Sequence, residues 1–367
     1  MKKRVLALGL CLALAMSLLT GCGGELTDEQ IITRATNDEV KYLTDGKLKN
    51  DTVVMTVNGE DVTALSLCYW LSYYETQMAY YYSLYGETLD LTAEVSDGVT
   101  AADSLLEYAY QAVVSYTTMN QKAEEYELTL TEDEESDVQD YIDLQDSYSM
   151  LYFCTSAEEQ GKIYREYQMA TKLQEVLYAV DGEREATDET LQDYITDNGI
   201  YNCRYILLQA DEDDEDALAE AQTQAQEIYD ELSALEGDAL LEKFMEYQEQ
   251  NADGNTEEYS YSDDDSLVDG FKEAVSALEV GELGMTDQTS YGYFVLLRLD
   301  VDMDALEEDY ISDDFNTLMT TWADEAEVEL ASAYDKLDAQ TFCENLTELQ
   351  TVVSAAQEAA DSSADAS

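Results

Sequence analysis

The chain has 367 residues, 17 of them Lys or Arg and 83 Asp or Glu, giving a formal net charge of −66, and it contains no histidine. The length allows two domains of ordinary size, while the charge argues against nucleic acid and anionic lipid headgroups as direct partners. Without histidine there is no Ser-His-Asp triad, no Cys-His dyad and no imidazole metal ligand, which removes most hydrolase and zinc-enzyme chemistry. The dispersed acids read as a strongly solvated surface, with diffuse cation binding the other role they suit.

Lys2-Lys3-Arg4 is a basic start, followed by an apolar run from Val5 to Leu19 that is too short for a comfortable membrane span. The run ends in Leu19-Thr20-Gly21-Cys22, which resembles a bacterial lipobox. That resemblance implies a lipoprotein signal peptide over 1–21, cleavage before Cys22 and lipidation of its thiol. The mature protein would then be held on the extracytoplasmic face of a bacterial cell membrane by buried CH₂ groups, at roughly 0.8 kcal/mol each. An uncleaved anchor or an ordinary secretion signal is the alternative. Residues 22–50 are polar with little apolar periodicity and read as a tether. Cys11 lies in the signal. Cys68, Cys154, Cys203 and Cys343 are far apart and lack Cys-x-x-Cys spacing, which argues against a metal or redox site. Those four thiols could pair in three ways, and free, buried thiols are the favoured reading.

Val53-Val54-Met55-Thr56-Val57 alternates weakly into Asn58-Gly59, a tight-turn dipeptide, and Asp61-Val62 returns before Thr63, a helix cap. Leu67, Trp70, Leu71, Tyr74 and Met78 then recur at helical spacing as far as Gly86. Thr100 with Asp103, Thr131 with Glu134 and Ser156 with Glu159 have capping-box spacing and mark three further helix starts. Residues 51–199 thus read as a short hairpin followed by helices, the last capped by Thr187 and stopped at Asn198-Gly199. Seven tyrosines between Tyr69 and Tyr85 crowd one helix, more than one buried face can hold. Some of them must be exposed or line a groove, unless tyrosine simply substitutes for other apolar residues.

Residues 203–208 read as a strand. The acidic run Asp211–Asp216 leads into a helix with Leu218, Ala221, Ala225, Ile228 and Leu232 on one face. The run complements the helix dipole and lacks the glycine and final glutamate of a calcium loop. Helices over about 238–248 and Phe271–Leu278 follow, then two strands that close the segment at Leu299. After Asp300, Leu306, Phe315, Leu318, Trp322 and Tyr334 are apolar anchors of a helical segment over 301–354. Residues 355–367, only Ala, Ser, Gln and acids, read as a disordered tail. The fold class expected is α+β.

Two stretches carry a family resemblance. Cys203-Arg204-Tyr205-Ile206-Leu207-Leu208 and Tyr291-Gly292-Tyr293-Phe294-Val295-Leu296-Leu297 resemble the two ends of a parvulin-type peptidyl-prolyl isomerase domain, with Tyr205 and Phe294 where the family has histidines. Val57-Asn58-Gly59-Glu60 and the segment Ala123–Thr131 are similar to the chaperone domain of PrsA-like and SurA-like foldases. The resemblance implies a parvulin-like domain over 200–300 inserted between N-terminal helices at 51–199 and C-terminal helices at 301–354 that pack back on them.

It also implies a site. Leu267 and Phe271 would line the proline slot, Thr289 would precede the closing Tyr-Gly-Tyr, and Glu258 lies where the family places an acid. Tyr205, Glu258 and Phe294 would be the catalytic positions. Isomerisation of an X-Pro bond lowers an amide barrier of about 18–20 kcal/mol, through an apolar slot and polar groups that favour the twisted amide. It needs neither cofactor nor metal. Tyr205 keeps a hydroxyl there; Phe294 does not. The function implied is a membrane-anchored foldase, a rotamase or chaperone for unfolded, newly exported polypeptides. A holdase with a degenerate parvulin domain is the alternative, and a solute-binding or adhesion lipoprotein a third reading.

Overall fold

The computed structural model describes residues 26–144, 147–251, 256–268 and 270–365; the signal region and Cys22 lie outside them. In chain order the elements are α1 (Asp28–Asn37), α2 (Glu39–Leu43), β1 (Val53–Val57), β2 (Glu60–Thr63), α3 (Ala64–Leu84), β3 (Glu94–Ser96), β4 (Val99–Thr100), α4 (Ala101–Glu125), α5 (Glu132–Leu144), α6 (Ser147–Tyr152), α7 (Ala157–Tyr178) and α8 (Asp188–Asn198). They continue as β5 (Tyr201–Gln209), α9 (Glu215–Leu232), α10 (Gly237–Asn251), β6 (Tyr259–Tyr261), α11 (Phe271–Ser276), β7 (Leu283–Met285), β8 (Gly292–Leu299), α12 (Met303–Asp324), β9 (Val328–Leu330), a 3₁₀ turn at Tyr334–Lys336 and α13 (Ala339–Asp365). Helices with small antiparallel sheets make this an α+β fold. The described residues form two compact units, one from those within 26–113, 136–163 and 327–365, the other from those within 114–135 and 164–326.

In the first unit, Asn58 and Gly59 both take positive φ (50° and 85°) and close the β1–β2 hairpin, the geometry a two-residue turn requires for twisted strands. Asn58 also receives the Glu327 N–H on its side chain at 2.9 Å and donates its own N–H to the Glu327 carbonyl at 2.8 Å. This seats β9 as the third strand, in the order β2-β1-β9. Thr63 caps α3 by accepting from the Ser66 N–H. The Thr100/Asp103 and Thr131/Glu134 boxes close reciprocally.

Two expectations are corrected. Residues 28–50 are not a tether: Ile31, Ala35, Val40, Leu43 and Leu48 are buried, and Asn345 of α13 donates to the Leu43 carbonyl at 3.1 Å. Four or five apolar side chains suffice there because each is fully covered, a property of their partner rather than of local periodicity. The tail is helical as far as Asp365, which suits its alanine content. The segment 301–354 is divided between the units: α13 packs within the first unit against α1, α2, α3 and α6, whereas α12 belongs to the second unit and meets α8 there. There Phe315, Ile311, Leu318, Met319 and Trp322 join Met119, Leu173 and Leu177 in one cluster. Asp314 accepts two hydrogen bonds from Arg184 (2.5 and 2.6 Å) and one from Tyr178. The second unit, which carries the four-stranded sheet, therefore extends beyond 200–300.

Candidate functional site

The second unit is organised by an antiparallel sheet of order β6-β5-β8-β7. One more strand is present than expected: β6, Tyr259–Tyr261. β5 pairs with β8 over its whole length (Asn202↔Leu299 to Gln209↔Gly292). Strand side chains alternate between faces, and here both faces are apolar. Ile206, Leu208, Val295 and Leu297 join α9 and α10 on one face. Cys203, Tyr205, Leu207, Phe294 and Leu296 join α11 and β6 on the other.

This second face carries a cluster of aromatic rings. Tyr205 lies diagonally across the ladder from Phe294, since its direct partner is Leu296; the ring centroids are 5.7 Å apart at 69°. Phe271 meets Phe294 at 5.2 Å and Tyr205 at 5.8 Å, both edge-to-face, and Tyr259 closes on Tyr205 at 5.8 Å. Such pairs contribute about 0.5–1.5 kcal/mol beyond their buried area. Gly270, at φ 85°, turns the chain so that Phe271 opens α11 facing the sheet. Thr286 fixes Phe294: its N–H donates to the Phe294 carbonyl, and its Oγ1 accepts the Phe294 N–H, each at 3.0 Å.

Above these rings lies a cavity of about 320 Å³, large enough for one or two side chains. Phe271 and Phe294 form its buried floor, at 3 % and 6 % exposure. Tyr205, Leu207, Tyr259, Ser266, Leu267, Val268 and Tyr291 form its walls and rim. The polar side chains that line it, among the described residues, are Tyr205, Tyr259, Tyr291 and Ser266, and none is of a charged type. Burial, then the nearby Asp265, raises the Tyr259 phenol above its ordinary value, so it stays neutral in the physiological range. Cys203, beneath the cluster, is a free thiol pushed up to about 12 by burial and is not a nucleophile.

The structure thus brings together Tyr205, Phe294, Leu267 and Phe271. Thr289 is buried beside the site but lines no part of the cavity. Its hydroxyl donates to the Gly292 carbonyl at 2.8 Å and accepts the Tyr291 N–H at 3.2 Å, fixing the turn that carries Tyr291. Glu258 is not at the site. β6 pairs Cys203 with Tyr259 and Asn202 with Ser260, which places Tyr259 and Tyr261 on the aromatic face and Glu258 on the other. There Glu258 accepts from Asn202 at 2.9 Å and from Arg204 at 3.2 Å. A shift of one residue in strand parity separates the expected acid from the cavity. Tyr259, Ser266 and Tyr291 were not among the expected site residues; for Tyr259 the alternation Tyr259-Ser260-Tyr261 was a legible signal, and Tyr291 stood in the closing Tyr-Gly-Tyr without a role.

Among the described residues no group of three or more Cys, Asp or Glu side chains could hold a metal ion, and no helix is long and apolar enough to cross a membrane. Cys68, Cys154 and Cys343 are also free and buried. The tyrosine-rich helix α3 buries Trp70 and exposes Tyr80, Tyr81 and Tyr85 at its far end.

No family model and no curated protein matches the chain. Solved structures similar to it include a peptidylprolyl isomerase, PrsA, from Bacillus cereus (16 % identity, 71 % of this chain and 100 % of that one, TM-score 0.29). Others are the foldase protein PrsA from Lactococcus lactis (11 %, 82 % and 99 %, 0.29) and a SurA-like chaperone from Campylobacter jejuni (10 %, 77 % and 100 %, 0.25).

Proposed function

We propose that the protein is an extracytoplasmic foldase of the parvulin type, anchored through a lipid on Cys22, which binds unfolded segments of exported polypeptides at the aromatic cavity. The observation that carries this reading is the convergence of Tyr205, Phe271 and Phe294, with Leu267 at the rim, on one open, side-chain-sized cavity. A flat pyrrolidine or an aromatic ring fits among edge-to-face rings, and burying it there removes apolar surface from water. One feature favours holding over catalysis. Among the described lining side chains, an amide twisting out of its plane would meet phenol and serine hydroxyls and no charged side chain, so these side chains would do little to favour the transition state over the planar ground state.

The test uses the mature chain with an unfolded client and a proline tetrapeptide. Suppression of client aggregation, reduced by Leu267→Ser, supports client binding at the cavity; suppression unchanged by that substitution removes the cavity from the account. Acceleration of cis–trans exchange above the buffer rate would restore the isomerase reading.

A further inference from the structure

We propose that the free edge of β5 takes the client's main chain as an added strand, and that the client is an extended segment flanked by basic residues. The added strand extends the client site proposed above and rests on that reading.

Antiparallel pairing sends alternate residues of a strand to opposite neighbours. The Ala210 N–H donates to the Tyr291 carbonyl at 3.0 Å, so residues 202, 204, 206, 208 and 210 face β8. Cys203, Tyr205, Leu207 and Gln209 therefore present their backbone groups to the other edge. β6 occupies that edge only as far as Cys203. It stops because the buried Gln248 amide is wedged in: its Nε2 donates to the Tyr205 carbonyl at 3.2 Å and to the Glu257 carbonyl at 3.5 Å, while its Oε1 accepts from Arg204. Beyond that wedge no strand of the described residues pairs with Leu207 or Gln209. The row of groups left there is one that an extended backbone satisfies.

A second cavity, of about 360 Å³, lies along this edge between β5 and α9, with Gln224, Gln248 and Asn251 offering amides. Tyr205 and Leu207 line both it and the aromatic cavity. A strand added at this edge would place alternate side chains in the two cavities, as the two-residue period requires. Charge identifies the occupant. Glu220 lines the second cavity, the acidic run Asp211–Asp216 precedes it, and the whole chain carries −66. A basic-flanked segment is attracted and a second copy of this chain is repelled.

The experiment measures binding of fluorescent acetyl-Lys-Thr-Val-Tyr-Val-Thr-Lys-amide to the full mature chain by anisotropy, with a backbone N-methyl group placed at each position in turn. N-methylation at alternate positions weakens binding roughly tenfold, one hydrogen bond's worth, and the intervening positions stay within about twofold. Gln209→Pro removes an edge N–H and spares the β8 ladder; it weakens binding similarly, whereas Gln209→Ala does not. High salt weakens every variant. Uniform tolerance or uniform loss across the scan overturns the added strand, as does a stable dimer of the chain through this edge. Alternation that survives Leu267→Ser keeps the strand and removes the cavity. Dependence on Leu267 without alternation keeps the cavity and removes the strand. No saturable binding at low salt overturns both.

Discussion

Glu75 sits on the buried face of α3 at 4 % exposure, with Oε2 unpartnered and a long 3.4 Å contact from Thr347 to Oε1. Burial pushes its carboxyl from 4.5 up to about 7, against the opposing hydrogen bonds of Thr347 and Thr76. The folded chain therefore keeps a proton that the unfolded chain has lost. The stabilisation is complete below pH 4.5 and declines by about 1.36 kcal/mol per pH unit until the folded value is passed. Over that interval of about 2.5 units the loss is on the order of 3 kcal/mol. Glu75→Gln keeps the shape and the contact to Thr347 but cannot ionise. In a Trp322→Phe background, Trp70 is the single tryptophan and reports on the first unit. Urea unfolding followed by its fluorescence from about pH 5 to about pH 8 should show the variant less dependent on pH. The gap between the two proteins should widen to on the order of 3 kcal/mol at the alkaline end. General repulsion among the acids acts on both proteins and cancels in the difference. Parallel curves would refute the reasoning.

Glu39, pushed up to about 8 by burial and by Asp38, has the same sign, so Glu39→Gln should also flatten the profile, read in the same unfolding series. Glu258→Ala should change proline-tetrapeptide affinity at the aromatic cavity by less than about twofold, because the side chain is on the opposite face of the sheet from that cavity. Its half-exposed pair with Arg204 limits the stability loss to under about 1 kcal/mol, measured by denaturant unfolding. Asp314→Asn should destabilise the second unit by about 1–3 kcal/mol as Arg184 and Tyr178 lose a charged acceptor, seen as a lower Trp322 transition. Gly59→Ala meets no atom within 4 Å and should cost only the strain of positive φ, about 1–2 kcal/mol, as a lower melting temperature.

Much of the fold was legible wherever one residue type did one job. Asn58-Gly59 demanded a turn, Thr63 and Thr187 capped helices, and Leu218 to Leu232 laid out the buried face of α9. The hairpin's third strand was not legible, because β9 is three residues long and is held by a hydrogen bond to Asn58 from 269 positions away. The division of the C-terminal segment was also hidden: Phe315 and Phe342 are both buried anchors, and nothing local tells that they belong to different cores. In the site, Tyr205, Phe294, Leu267 and Phe271 were pointed to by the resemblance to the parvulin pattern rather than by local periodicity, and the sheet and the start of α11 bring them together. Glu258 was misplaced because alignment fixes position along a strand but not the parity that decides the face.

The central claim, that the cavity over Phe271 and Phe294 binds client side chains, is tested most directly by proton NMR of a proline tetrapeptide titrated with the full mature chain. Leu267→Ser serves as the comparison because the half-buried Leu267 can be changed without opening the core. The account predicts saturable broadening of the proline-ring resonances with the native chain, loss of that broadening with Leu267→Ser, and cis–trans exchange at the buffer rate in both. Ring resonances that do not respond, or that respond equally to the two proteins, would contradict it.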